Sequence, residues 1–293
     1  MEKNIIKINI ISVVILCLAI ICLFAICPII VYAEEIENDI TVEFNENSSG
    51  FSLSCRNITD DNRCELEKTI EDTLKFKYNI LDTNRYLDCV KENIDLSTVE
   101  ECFTVNMTNY SVVDDSLTIA TRASSKDVSI VNTVTRDSES DEREYKAYEC
   151  SAKCIWSKAP INRFKDIFAI AIQSDTTPLY RGVSGMMRCE YNVHGQGVNY
   201  VLGISDKLQE YSISNAVGVK YDLPIDVVIG GLIYLRMEFE VSTTVLTKSD
   251  FNMFSGYAHR ILIGSPTIST DGVGFTVNNG TNLFTGQVVS QII

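Results

Sequence analysis

The sequence predicts an α+β chain that is mainly β. A small helical, cysteine-containing N-terminal region precedes an antiparallel β-sandwich, with a jelly roll or barrel as the alternatives. Three observations lead there. Between Asn62 and Asn93, apolar residues recur every three or four positions, which is helical spacing. From Lys146 onward, several runs alternate apolar and polar residues with period two, which is strand spacing. Short clusters of Gly, Pro, Asn and Ser separate those runs, as turns require.

Residues 1–33 read as an export signal. Lys3 and Lys7 form a positive head, Ile8 to Ala33 is a run of 26 uncharged residues, and Val31 and Ala33 precede the expected cut. An uncleaved anchor is the alternative, because residues at about 1.5 Å each would cross the ~30 Å of a hydrocarbon core. Both readings put the chain from Glu34 onward outside the cytosol. It is then secreted, or held on the cell membrane by residues 8–33.

Charge divides the remainder. The formal net charge is −14. Glu34 to Tyr145 holds 26 acidic and 11 basic residues, whereas Lys146 to Ile293 holds 12 of each. This shift predicts an acidic, partly helical cysteine-containing region at 34–122, a polar linker at 123–143 and a β-sandwich domain at 144–293. The acidic balance lacks the basic face that phosphate binding needs, which argues against nucleic acid as a partner. Anionic lipid is disfavoured likewise, so membrane contact is expected only through residues 8–33.

In the acidic region, Ile40–Ser54 reads as a strand pair around Asn47-Ser48-Ser49-Gly50. Leu66, Ile70, Leu74, Tyr78 and Leu81 make one stripe of an amphipathic helix, with Asn62 and Glu65 as its N-terminal cap pair. Tyr86, Cys89 and Val90 continue in a second helix, and Ser97-Thr98-Val99-Glu100 opens a short third. Residues 103–122 and 128–135 return to strand. Tyr148, Cys150, Ala152, Cys154 and Trp156 then alternate with polar neighbours, giving a strand with one buried face. Ile167–Ile172 is short and apolar enough for a central strand, and Ile233–Val241 alternates again. Tyr257–Ile263, Gly272–Val277 and Leu283–Ile293 complete the set.

Seven cysteines follow the export segment: Cys55, Cys64, Cys89, Cys102, Cys150, Cys154 and Cys189. Outside the cytosol the default is disulfides. The expectation is two bridges among the first four, with three connectivities open, and one among the last three. Cys150 and Cys154 stand roughly 13 Å apart along one strand face. That exceeds the ~7 Å between Cα atoms that a bridge tolerates, so Cys189 is expected to pair with one of them across neighbouring strands. With two histidines in the chain and no paired C-x-x-C, neither a metal site nor a cofactor is expected.

Residues 156–166 are the most distinctive segment. Trp156 is the sole tryptophan, Pro160 ends the strand, and Arg163 and Asp166 lie three apart. Trp156, Arg163 and Asp166 are therefore the candidate ligand platform, set against a tryptophan-anchored corner with a structural Arg–Asp pair. The pattern W-x-K-x-P-x-x-R-x-x-D, followed by an apolar strand, resembles a motif in uncharacterised secreted or surface proteins of Gram-positive bacteria. Gly195-Gln196-Gly197 and Gly218-Val219-Lys220-Tyr221-Asp222-Leu223-Pro224 fit that resemblance, which covers residues 150–245 and implies no known activity.

No catalytic residue stands out. His194 and His259 have no evident nucleophile beside them, and Gly182-Val183-Ser184-Gly185 departs from the G-x-S-x-G elbow. Asn-x-Ser/Thr sites at Asn47, Asn57, Asn106, Asn109 and Asn279 are the number that an Ile-, Asn- and Ser-rich chain acquires by chance. The chain reads as a secreted or surface-tethered, non-enzymatic protein whose β-sandwich binds an extracellular protein or glycan. One alternative is a membrane-active, pore-forming protein using strands such as Leu232–Ser242. Another is an extracellular hydrolase with an unrecognised carboxylate site.

Overall fold

Period two in the sequence becomes extended backbone in the computed structural model, which describes residues 40–110, 128–157, 165–192, 198–203, 209–213, 216–222, 233–261 and 282–287. The export segment, Arg163, His194, Gly195-Gln196-Gly197 and the strand expected at Gly272–Val277 lie outside those residues. The elements in chain order are β1 (Thr41–Asn47), β2 (Gly50–Ile58), α1 (Leu66–Phe76), α2 (Asn84–Asn93), β3 (Glu100–Tyr110), β4 (Val128–Arg136) and β5 (Lys146–Trp156). Then come β6 (Lys165–Ser174), β7 (Leu179–Asn192), β8 (Val198–Gly203), β9 (Gln209–Ile213), β10 (Ala216–Asp222), β11 (Ile233–Thr247), β12 (Phe251–Ile261) and β13 (Asn282–Gln287).

One sheet runs β1-β2-β3-β4-β5-β11-β7-β8 and the other β13-β12-β6-β10-β9. The class is α+β, mainly antiparallel β, and neither sheet closes into a barrel. Phe168, Ile170 and Tyr257 of the smaller sheet pack on Cys154, Trp156 and Phe239 of the larger one.

The larger sheet exchanges its buried face partway across. Two adjacent rows of residues show it. The row Leu53, Val105, Thr133, Ser151, Ser242, Ser184 runs from β2 to β7 on one face. It begins with fully buried Leu53 and Val105 and ends with exposed serine. The row Ser52, Asn106, Asn132, Ala152, Val241, Gly185 runs on the other face. It begins polar and ends in the sandwich core, where Val219 presses on Gly185 so closely that a β-carbon there would lie 2.8 Å from it. The helices cover the first face over β1–β3: Tyr86 of α2 sets its ring edge-on to Phe44 and Phe51, each at 5.0 Å. The second sheet covers the opposite face over β5, β11 and β7. β4 lies between and is buried on both faces, with Asn132 and Thr133 pointing opposite ways.

Several expectations are corrected. The polar stretch at 123–143 is not a linker throughout, because β4 occupies residues 128–136 as an interior strand joining the acidic and neutral parts in one sheet. The described residues from Thr41 onward form one compact unit. The helical stripe holds for Leu66, Ile70 and Leu74, but Leu81 is fully exposed. Asn79 takes a left-handed backbone (φ 58°), and the Ile80 N–H reaches back to the Leu74 carbonyl, closing α1 before Leu81. Asn62 precedes a short 3-10 turn but makes no side-chain cap bond to it; its Oδ1 accepts from the Thr59 N–H and its Nδ2 donates to the Asn57 carbonyl. The expected third helix is a turn instead. The Asp95 carboxylate accepts from both the N–H and the hydroxyl of Ser97, and β3 begins at Glu100.

Two local devices hold the register. In the β1–β2 turn, Asn47 Oδ1 accepts from the Ser49 and Gly50 N–H groups at 2.8 and 3.0 Å. Gly50 is required because a β-carbon there would stand 1.7 Å from the Met107 carbonyl oxygen. At the far end of β4, the buried Arg136 forks onto Asp141 at 2.7 and 2.8 Å. It also donates to Glu101 at 3.1 Å and to the Ala147 carbonyl at 2.9 Å. The guanidinium stacks over Tyr148 at 5.4 Å. This arrangement closes the β4–β5 connection.

Gly50→Ala will therefore lower stability by about 1–3 kcal/mol, as overpacking does, read as a lower urea midpoint. An unchanged midpoint would show that β3 yields freely. Arg136 holds the Asp141 carboxyl below the ordinary carboxylate range. A depressed folded-state pKa means that the pair stabilises fully above the unfolded value. That contribution fades as pH falls through the depressed one. The urea midpoint should thus drop more steeply on acidification below about pH 4 in the wild type than in Asp141→Asn; parallel curves would refute the assignment.

Candidate functional site

The predicted platform is not a surface. Trp156 and Asp166 are buried, at 4 % and 0 % exposure. The Tyr257 hydroxyl donates to the Asp166 carboxylate, and the Tyr257 ring stands edge-on to the Trp156 indole with centroids 6.2 Å apart. Burial and the Asp166 charge push the Tyr257 hydroxyl well up, keeping it a donor. Trp156 and Asp166 thus both pack on Tyr257 inside the sandwich, and Arg163 lies outside the described residues.

The described cysteines are free thiols, which corrects the disulfide expectation for Cys55, Cys64, Cys89, Cys102, Cys150 and Cys154. Strand geometry explains why. Cys55 pairs in register with Phe103, so Cys55 and Cys102 are near in the ladder but point to opposite faces of the sheet. Cys64 is exposed ahead of α1, while Cys89 sits on α2. Cys150 and Cys154 share one face four residues apart, as expected. Cys189 is opposite Met237, which is itself opposite Trp156, so β11 separates it from β5. Two strand spacings place their backbones ~10 Å apart, beyond bridging range. Desolvation pushes the Cys102 thiol to about 11 and those of Cys55, Cys150 and Cys154 higher still.

A concave site lies where the large sheet changes face. The edge of α2 stops covering the sheet at β4, and the floor beyond it is polar. That leaves a cleft of about 460 Å³. Its floor carries Lys153 of β5, Arg188 of β7, and Arg236 and Glu238 of β11. Register brings them together: Ile155, Glu238 and Arg188 are successive cross-strand partners. A bulge between Tyr234 and Arg236 offsets the β11–β7 register just before Arg236. Glu238 is buried (8 % exposed) beneath two guanidiniums, with Arg236 at 3.2 Å on Oε2 and Arg188 at 3.7 Å on Oε1.

The facing wall is α2, from which Arg85, Asp88, Cys89 and Glu92 reach the cleft. Lys153 Nζ donates to the Glu92 carbonyl at 3.4 Å, tying floor to wall. Burial pushes the Cys89 thiol up to about 11, so it is not a thiolate nucleophile at neutral pH. Among the described residues, no group of three His, Cys, Asp or Glu side chains is placed to hold a metal, and no helix is long and apolar enough to cross a membrane.

Of the cleft residues the sequence singles out Cys89, as a disulfide candidate, and none as a ligand contact. The faint signal was the polar face of the β11 alternation, Arg236, Glu238 and Glu240, whose neighbours only the register supplies. Comparison with known proteins finds no matching family model and no matching curated relative.

The thiols make a direct test. Alkylation of the native protein at pH 7.5 should label the exposed Cys64 rapidly and Cys55, Cys150 and Cys154 only after denaturation. Non-reducing peptide mapping should find those four unbridged. A bridge joining any two of them would overturn the face assignments.

Proposed function

We propose that this is a secreted or surface-tethered, non-enzymatic protein whose β-sandwich binds an extracellular protein or glycan. The supporting observation is the cleft between α2 and the uncovered half of the large sheet. It is of ligand-pocket size and lined by converging charged groups. It also sits on strands rather than loops, so its floor is rigid. Each carboxylate in it has a competing task or setting: Glu238 is held by two arginines, and Asp88 and Glu92 sit on the exposed side of a helix. That favours recognition over sugar hydrolysis, which needs a matched pair of carboxyls. The membrane-active alternative would require β11 to leave both β5 and β7, with which it is paired along most of its length.

The test is a screen of the full-length protein in detergent against arrays of glycans and extracellular proteins, beside Ile155→Trp, which fills the cleft from its half-buried floor position. Wild type should bind an array member. The variant should bind it at least tenfold more weakly with an unchanged unfolding midpoint. Turnover in a hydrolase panel, leakage of liposomes, or binding indifferent to Ile155→Trp would overturn the proposal.

A further inference from the structure

The cleft is charged in an uneven way. On its floor, Lys153, Arg188 and Arg236 outnumber the single buried carboxylate of Glu238. Across from them, α2 presents Asp88 and Glu92, four residues apart and both exposed, with Arg85 beside them. Among the described residues neither Asp88 nor Glu92 has an ion-pair partner within 4.0 Å. A chain of net charge −14 thus concentrates three cations on one floor and faces them with an acidic wall.

Glu238 organises the floor. Its two oxygens each take one guanidinium, which holds Arg188 and Arg236 about the same buried carboxylate. A guanidinium has five N–H donors in a planar fork, and these contacts leave most of them unspent. The arginine side chains keep 37 % and 40 % exposure, so their remaining donors are open to the cleft. One anionic group arriving there would meet two preorganised forks, the arrangement that suits a carboxylate or sulfate. A second anionic group on the same ligand would face Asp88 and Glu92, and like charges at close range disfavour it.

Resting on the binding-protein reading, we infer that the cleft takes a saccharide bearing a single acidic group, a uronate or one sulfate ester, with that group seated on Arg188 and Arg236. Polyanions are excluded by the α2 wall. A saccharide fits better than a folded protein. The cavity is of small-ligand size, whereas a stable protein interface buries ~800 Å² on each partner and is anchored by exposed aromatic groups. Among the described residues the exposed large apolar side chains are Phe76 and Leu81, and neither lines the cleft.

The experiment uses the full-length protein in detergent. Its probes are immobilised neutral oligosaccharides, the same oligosaccharides carrying one uronate or one sulfate, heparin as a polyanion, and peptides with free C-terminal carboxylates. Singly acidic saccharides should bind best. Arg188→Gln and Arg236→Gln should each weaken that binding at least tenfold, and Arg188→Lys, which keeps the charge but loses the fork, severalfold. Asp88→Asn with Glu92→Gln should raise heparin binding at least threefold. Free galacturonate should compete better than galactose on the wild type, a comparison that needs no variant to fold. Neutral saccharides or peptides captured in a manner sensitive to Ile155→Trp but not to the arginine variants would overturn this inference and leave the binding-protein reading standing. So would heparin outcompeting the singly acidic probes. Failure to bind any glycan or protein would overturn both.

Discussion

A sheet this wide cannot bury both faces everywhere, and the exchange of its buried face at β4 governs the rest of the structure. On β1–β3 the helix-facing side is dry and the other side is hydroxyl- and amide-rich, with Ser54 and Thr104 hydroxyls bonded across the strands at 3.0 Å. Over β5, β11 and β7 the assignment is reversed. Two cores result, one of rings around Phe44, Phe51 and Tyr86, the other between the two sheets. Only an interior strand can join them. β4 does so by being buried on both faces, which places the Asn132 amide in a dry setting without a hydrogen-bond partner among the described residues. An uncompensated buried amide costs free energy, so β4 tolerates a loss that its neighbours on both sides must offset.

The same exchange makes the cleft. A helix covering one half of a sheet ends somewhere, and where it ends the floor must turn from apolar to polar. Val131, beneath α2, is buried, while Lys153 and Ile155 on the next strand are half exposed. The step is one strand wide, so charged groups on β5, β11 and β7 stand directly beside the helix wall. Such a position is concave by construction. It needs no insertion or long loop, and its geometry is as stiff as the ladder beneath it.

Much of the architecture was legible in the residues. Tyr148 to Trp156 announced a strand with one buried face, and the ladder between β11 and both of its neighbours agrees with the alternation of Ile233–Val241. Leu66, Ile70 and Leu74 announced a helix. The failures have physical causes. Leu81 continues the stripe on paper, but the left-handed Asn79 ends α1 first. The strand expected at 128–135 is β4, but the stretch 123–143 around it also read as a linker, because a strand buried on two faces by two different cores does not alternate and Asn132, Thr133 and Arg136 look polar until their rows are known. The disulfide expectation rested on compartment, and face geometry keeps the thiols apart. The cleft was illegible because its groups come from positions 85 to 238 and meet only through register.

The charge split of the sequence takes on a spatial meaning here. The acidic region contributes α2, hence Asp88 and Glu92, and the electrically neutral region contributes the floor, hence Lys153, Arg188 and Arg236. Had the two regions folded as separate domains, each would have shown its own character to solvent and no gradient would exist at close range. Because β4 joins them in one sheet, the boundary between acidic and neutral sequence becomes the boundary between wall and floor. Glu238 then offsets part of the repulsion between the floor cations, and its position beneath them leaves the outer sides of both guanidiniums facing the cleft. A uniform distribution of the same residues would leave the net charge unchanged and the cleft without a direction.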